Sequence, residues 1–413
     1  MILNEMKNDF QNDWTRRKFL LTISGATAAI ILSPALAHTL PADDKKKLAR
    51  IVANTIGIDT HNHIDVPLIS SELPGPKIDL GGQVKRSGLT ALVMTFAVDY
   101  QQLTTEGQAY ERFLNGLTAM DTVLQLNKMK RSLNAKDLQN AHATKKATVI
   151  QSVEGAHFLE GKIERLKVGY DRGLRHLTLL HDNDASVPLG DIFTNPPKWG
   201  GLTSFGASVI KECERLGILV DLSHCDNATI DGALKIMTKP FIISHTGLDT
   251  RLGNKEFMAK MMKPRLISKE QAEKVSAAGG VIGIWTHLAD TPTAFADNIK
   301  AMADIVGIDH VAIGTDTKMT PAYRSPTDQW PQSPNNKGEK KEENKPGRNE
   351  EPKAGERRQQ AGDSTNTVWP SQQQGFYFTV AEALLKAGYT EKEIGKIGGG
   401  NYIRIFDAAT KGH

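Results

Sequence analysis

The sequence predicts an α/β protein of the (β/α)8 TIM-barrel type. Three observations carry that prediction. Eight short apolar, β-rich runs recur after residue 50, helical patterns separate them, and seven of the eight end at or near a residue able to ligate a metal or move a proton. Apolar runs of this length, punctuated by glycine and alternating with helices, read as parallel strands buried on both faces. Eight of them fit a closed barrel, with a doubly wound open sheet as the alternative.

The strand runs are TIGIDTH (55–61), LTALVMTFAV (89–98), ATVIQSVE (147–154), LRHLTLLH (174–181), GILVDLSH (217–224), PFIISH (240–245), GVIGIWTH (280–287) and HVAIGTD (310–316). Segments such as GASVIKECERLG and SKEQAEKVSAAGG supply the intervening helices. At 413 residues the chain exceeds one typical domain. Barrels of this type nonetheless exceed about 250 residues as one unit, so residues 38–413 are read as a single barrel.

Residues 1–37 stand apart. TRRKFLLTISGATAAIILSPALA places Arg16 and Arg17 before an apolar run that ends in the small-residue site Ala35-Leu36-Ala37. That order resembles a twin-arginine export signal cleaved after Ala37, which implies the export machinery as a partner and a periplasmic location. The apolar run is shorter than the roughly 20 residues of a spanning helix. An uncleaved signal would instead leave the protein attached to the inner membrane. A second departure is 331–363, charged, rich in Pro and Gly and nearly free of apolar residues, between the eighth strand and the closing helix FTVAEALLKAGY. Such a segment buries too little to offset its ordering entropy and reads as a disordered insertion.

The net charge of +4 is mild and spread along the chain, with no basic stripe interleaved with aromatics, which argues against nucleic-acid binding. The two cysteines are too few for a disulfide framework or a structural zinc site. Cys213 reads as a buried helix thiol; Cys225, next to His224, reads as structural, with a nucleophile as the lesser alternative.

The strand ends carry the chemistry, because in a barrel the carboxyl ends open on one face. Residues two apart on a strand point the same way, so His61 and His63 can reach one ion, as can Asp59 or Asp65. Glu154 can bridge two ions, with His224 and His245 on the second. Histidine nitrogens with a carboxylate suit zinc better than magnesium or calcium. Two Zn2+ ions about 3.5–4 Å apart would activate a bridging water as hydroxide and polarise a carbonyl. Asp316 then suits a general acid/base and His181 a donor to the developing oxyanion. His287 is left to line the substrate pocket, and His157 to support a ligand or the fold.

The motifs SVEGAH, RGLRHLTLLHDND, GGLTSFG, ERLGILVDLSH, IISHTG, KPRLISKEQAEKVSAAGGVIGI, VGIDHVAIGTD and ALLKAGYTEKEIGKIGGGNYIRIF resemble the membrane (renal-type) dipeptidase family of metallopeptidases. The resemblance runs in order from about residue 56 to about residue 408. It implies a two-zinc barrel that cleaves dipeptides, including some with a D-residue at the carboxyl end. It implies Glu154 as bridging ligand, His224 and His245 on the second zinc, His181 beside the oxyanion and Asp316 as acid/base. It also implies Arg265 as the anchor of the substrate's terminal carboxylate, a pairing suited to bidentate guanidinium geometry, and it allows a homodimer.

The opening motif departs from the family pattern, Asp-x-His-x-Asp followed soon by proline. Aligned on IDTH, His61 is the first ligand and His63 stands where an aspartate is expected; aligned on HIDVP, His63 and Asp65 form the pair. The apolar lead-in before His61 favours the first register. A neutral imidazole then replaces a carboxylate, so the first site has one negative charge fewer and allows another divalent metal. Two further readings remain open: a related amidohydrolase acting on another amide, an ester or a lactam, and a non-catalytic metal-binding barrel.

Overall fold

The computed structural model describes residues 42–100, 102–326 and 364–413. The predicted export signal and the predicted insertion at 331–363 lie outside the described residues. In chain order, α1 (Ala42–Asn54) leads into β1 (Ile58–His63), α2 (Leu80–Ser87) into β2 (Ala91–Thr95), and α3 (Gln108–Leu126) with α4 (Ala135–Ala143) into β3 (Thr148–Glu154). Then come α5 (Arg165–Asp171), β4 (Leu174–Thr178), α6 (Ser204–Leu216), β5 (Leu219–Asp221), α7 (Asn227–Leu234) and β6 (Ile242–Thr246). The chain continues through α8 (Glu256–Met262), α9 (Lys269–Ala277), β7 (Val281–Ile284), α10 (Pro292–Val306), β8 (Val311–Ile313) and β9 (Thr317–Lys318). It ends with α11 (Phe376–Lys386), α12 (Glu391–Gly395) and α13 (Asn401–Thr410).

All pairings between successive strands are parallel, from β1–β2 through to β7–β8. β8 and β9 are two pieces of one strand interrupted at Gly314–Asp316. β8 pairs with β7 and β9 with β1, through Asn62–Thr317 and His63–Lys318, which closes the sheet on itself. The local chemistry agrees with the helices between strands. Thr203, Asp226, Ser268 and Thr291 cap α6, α7, α9 and α10, each accepting from the backbone N–H three residues on.

Each predicted strand run overlaps a strand; β1, β3 and β6 reach or pass the predicted ends, whereas the ladders of β2, β4, β5, β7 and β8 stop short of them. β4 ends at Thr178 and β5 at Asp221, three residues before His181 and His224. The chain leaves the ladder there and turns the ligand-bearing residues inward. His224 and Asp316 take left-handed backbone conformations, φ 65° and 55°. Among residues with a Cβ, aspartate and histidine are enriched there, yet the conformation is sparsely populated and concentrates at functional sites.

The barrel is filled in layers. At its amino-terminal end, Ile58, Val93, Leu219, Ile242, Val281 and Ala312 pack against Tyr402, Ile405 and Phe406 of α13, so the last helix plugs that mouth. Above lies a polar layer. The Asp221 carboxylate accepts from the Ser223 and Ser244 backbone N–H groups, and from the hydroxyls of Thr178, Ser223 and Ser244. Asp59 is likewise enclosed, accepting from the Thr315 amide and hydroxyl at 2.8 and 2.6 Å. The opposite mouth carries the predicted ligands.

Candidate metal centre

At the carboxyl ends of the strands, five imidazoles turn the same atom toward one buried carboxylate. Nε2 of His224 lies 2.9 Å from Glu154 Oε1, that of His61 3.3 Å and that of His245 3.6 Å from the same oxygen. His181 Nε2 lies 3.4 Å and His63 Nε2 3.8 Å from Glu154 Oε2. Glu154 comes from the end of β3, fully buried. Gly155 follows with φ +79°, and a side chain there would collide with His157 and His181.

The Nε2 orientation is enforced from behind. Ser244 Oγ, which donates to Asp221, lies 2.9 Å from His245 Nδ1 and 3.3 Å from His61 Nδ1. Asp99 Oδ1 lies 2.6 Å from His181 Nδ1, Asp182 Oδ1 3.2 Å from His224 Nδ1, and Tyr100 Oη 2.6 Å from His63 Nδ1. An acceptor behind Nδ1 leaves Nε2 facing Glu154, the arrangement of imidazoles that ligate a metal; the Asp99 and Asp182 carboxylates can only accept when ionised, and the Ser244 and Tyr100 hydroxyls are able to.

These residues fit metal ions. Nε2 atoms of His224 and His245 are 3.0 Å apart, and those of His61 and His63 are 3.3 Å apart. Glu154 Oε2 is buried without a hydrogen-bond partner, a cost that a cation removes. Three overlapping donor groups occur among the described residues: His61–Glu154–His245, His61–His63–Asp316 and Glu154–His181–His224. Glu154 is common to two of them, as a bridging carboxylate would be. The grouping differs from the sequence expectation at two positions. His181, expected only beside an oxyanion, and Asp316, expected only as acid/base, both stand within ligand distance of the cluster.

Charge follows the geometry. Burial pulls the His61, His181 and His224 imidazoles down, but nearby carboxylates outweigh it and raise all three to about 9: Glu154 for His61, Glu154 and Asp99 for His181, Asp182 and Glu154 for His224. Burial and the neighbouring His61 lower His245 to about 3. Burial also lowers His63. Burial opposes ionisation of Glu154 and Asp316 as well, yet the surrounding imidazoles hold both carboxyls well below the usual range.

The residues of the two registers of the opening motif take different positions. Asp65, in the alternative register, is ion-paired with Lys318 at 2.7 Å and belongs to none of the three donor groups. Asp59 is occupied in the polar layer, where burial raises it to about 6. A register shift in β1 falls between Asp59 and Asn62, and Asp59 does not join His61 and His63, whose Nε2 atoms meet at 3.3 Å. Cys225 is buried and burial pushes its thiol well up, which favours the structural reading; Cys213 is a buried thiol on α6.

Four contributors were not legible as such. Asp99 and Tyr100 follow β2, the one strand without a candidate at its end. Their signal was present as two polar residues just beyond the run LTALVMTFAV. His287 was expected to line the pocket; instead its Nε2 lies 2.8 Å from Asp316 Oδ2 and orients that carboxylate. His157 supports the fold, with Nε2 at 2.7 Å from the Asn183 carbonyl. Asp182 joins two parts of the site: Oδ1 meets His224, and Oδ2 accepts from Arg265 Nη2 at 2.7 Å. Arg265 thus borders the metal pocket, in the wall of a cavity of about 330 Å³ that His224, His245, Phe193 and Trp285 also line.

Comparison with known proteins bears on the same region. The profile of the membrane dipeptidase family (peptidase family M19) matches residues 45–325. The chain is 32% identical over 171 residues to dipeptidase verJ of Clonostachys rogersoniana, a match covering 40% of this chain and 41% of that protein. It is 29% identical over 182 residues to an uncharacterized dipeptidase of Schizosaccharomyces pombe, covering 41% of each. The chain thus spans about two-fifths of the length of these curated relatives. The fold is similar to that of an amidohydrolase from Pseudomonas aeruginosa, with a TM-score of 0.62 at 21% identity over 88% of this chain and 98% of that one. It is also similar to a metallopeptidase from Rhodobacter sphaeroides liganded with a phosphinate mimic of the dipeptide L-Ala-D-Ala, with a TM-score of 0.60 at 17% identity over 86% of this chain and 100% of that one.

Proposed function

The chain belongs to the membrane dipeptidase family, and from that premise we propose that it is a dinuclear metal-dependent hydrolase of dipeptides. The observation that carries the reading is the convergence of five imidazole Nε2 atoms on Glu154, whose Oε2 has no other partner. In the proposed arrangement Glu154 would be shared by two divalent ions, preferably zinc. His61 and His63 would hold one, and His224 and His245 the other. A pair of bound ions supplies an acidified water and an electrophile for the scissile carbonyl.

The remaining steps belong to the chain's own groups. Asp316, kept ionised by His245, His287 and His63 and oriented by His287, takes the proton of the attacking water at its carboxylate and delivers it to the leaving amine. His181, held by Asp99, donates from Nε2 to the oxygen on which charge develops. Arg265 receives the substrate's terminal carboxylate. Asp182 occupies one edge of its guanidinium and leaves the other donors for the substrate. The distance from Arg265 to the metal pocket then sets the length of substrate accepted, one residue past the scissile bond.

The test is a panel of dipeptides with L- or D-residues at the carboxyl end, alongside their carboxy-terminal amides. Activity should require metal, disappear with chelator and return on zinc addition, with the amides poor substrates. Cleavage that ignores both chelator and amidation overturns the reading. Because His63 stands in place of a carboxylate, carboxylate-bearing lactams and esters belong in the same panel. Preference for them would favour the wider amidohydrolase reading. The segment TRRKFLLTISGATAAIILSPALA supports export of the folded protein to the periplasm. Changing Arg16 and Arg17 to lysine should retain the precursor in the cytoplasm.

A further inference from the structure

We infer that Tyr100 is a positioning residue that makes His63 a ligand of the first ion. The inference rests on the paired-metal reading and concerns the position where this chain departs from its family's aspartate. An aspartate ligand offers an oxygen whichever way it rotates. An imidazole offers a lone pair on one nitrogen only, and which nitrogen is set by the bond the other makes.

Tyr100 Oη lies 2.6 Å from His63 Nδ1, on the side away from the pocket. On the pocket side, His63 Nε2 lies 3.1 Å from Asp316 Oδ1 and 3.3 Å from His61 Nε2. With Nδ1–H donating to the phenol oxygen, Nε2 is left with its lone pair toward the ion. The other four imidazoles are held by Asp99, by Asp182 or, through Ser244, by Asp221. His63 alone is held by a phenol. Its tautomer therefore depends on a single hydroxyl that half-exposed Tyr100 brings from the end of β2. The ring also packs against His63 and His181, with centroids 5.9 and 5.6 Å away, so a phenylalanine can keep the packing while losing the oxygen.

The test is Tyr100→Phe in the full-length protein, with metal content by mass spectrometry across a series of metal buffers and the visible spectrum of the cobalt-substituted protein. Wild type should take up two ions. Tyr100→Phe should weaken one of them by about 10- to 100-fold, the usual effect of removing a partner behind a ligand. The other ion should keep its affinity, and half of the cobalt spectrum should change. In a His63→Asp background, where no tautomer needs fixing, adding Tyr100→Phe should leave both affinities unchanged. If wild type holds two ions and Tyr100→Phe matches it, the positioning role is overturned while the paired site stands. An equal loss from Tyr100→Phe in the His63→Asp background also overturns the role, since the phenol would then act on packing. Wild type that holds fewer than two ions overturns the paired-site reading, and this inference with it.

Discussion

Two sides of one metal pocket use the same imidazole Nε2 atoms but rest on different supports. His181 and His224 lean on the carboxylates of Asp99 and Asp182. His63 leans on the phenol of Tyr100, beside an Asp316 that His287 already holds. A carboxylate behind an imidazole raises its basicity and strengthens it as a ligand. A neutral phenol does so less. On the paired-metal reading, the ion proposed on His224 and His245 should therefore be the tighter one, and the ion proposed on His61 and His63 the one whose identity is adjustable. Graded chelation should therefore remove one equivalent of metal before the other, and His63→Ala should abolish the weaker equivalent alone.

The largest effect should come from the residue the two sides share. Glu154→Gln keeps the shape of the side chain but removes the negative charge between them. Loss of the electrophile is worth several kcal/mol of transition-state stabilisation, and each ~1.4 kcal/mol is tenfold in rate. A fall in kcat/KM of about 10³-fold, with loss of both metal equivalents, is the expected outcome. A variant with full metal content and full activity would end the dinuclear proposal.

A smaller effect, on one side only, is expected from Arg265→Ala. A hydrogen-bonded charge pair contributes about 1.5–3 kcal/mol, or roughly 10- to 150-fold in kcat/KM. The loss should fall on substrates with a free carboxylate and spare their amides. Metal content should stay near wild type, because Asp182 keeps its bond to His224. An equal loss on acids and amides would show that Arg265 acts on the metal side rather than as an anchor.

How much of this was legible in the chain follows from what each residue type announces. The strands were readable because parallel strands buried on both faces require continuous apolar runs. Their histidines were readable because such residues are conspicuous at the ends of those runs. Asp99, Tyr100 and Asp182 were not, since each acts through a partner brought close only by barrel closure. Asp99 meets His181 across 82 positions, and Tyr100 meets His63 across 37. His287 was visible but its partner was not, because Asp316 turns toward it through a left-handed backbone step that no hydrophobic pattern encodes. The short β9 that completes the ring was hidden for the same reason, lying beyond that step.

The gentlest probe of the two sides is pH, because the imidazoles differ in what they hold before metal arrives. His181 and His224, both raised to about 9, carry protons at neutral pH in the metal-free pocket, as does His61. His63 and His245 are lowered and do not. The sign follows from folded values above the unfolded 6.5. The protonated imidazoles contribute stability that is fully present below pH 6.5 and is lost as pH rises through about 9. Metal must displace the protons of the proposed ligands His61 and His224, so its affinity should climb by up to about tenfold per pH unit for each displaced proton between about pH 7 and 9. The metal-free protein should therefore melt at lower temperature at pH 9 than at pH 7, and the metal-loaded protein should not follow it. Calorimetric titration of metal near pH 7.5 in buffers of different ionisation enthalpy should report net proton release. The release should shrink in His224→Ala and persist in His63→Ala. Heats that do not depend on the buffer would show that the carboxylate-backed side holds no protons for the metal to displace, and the contrast between the two sides would fail.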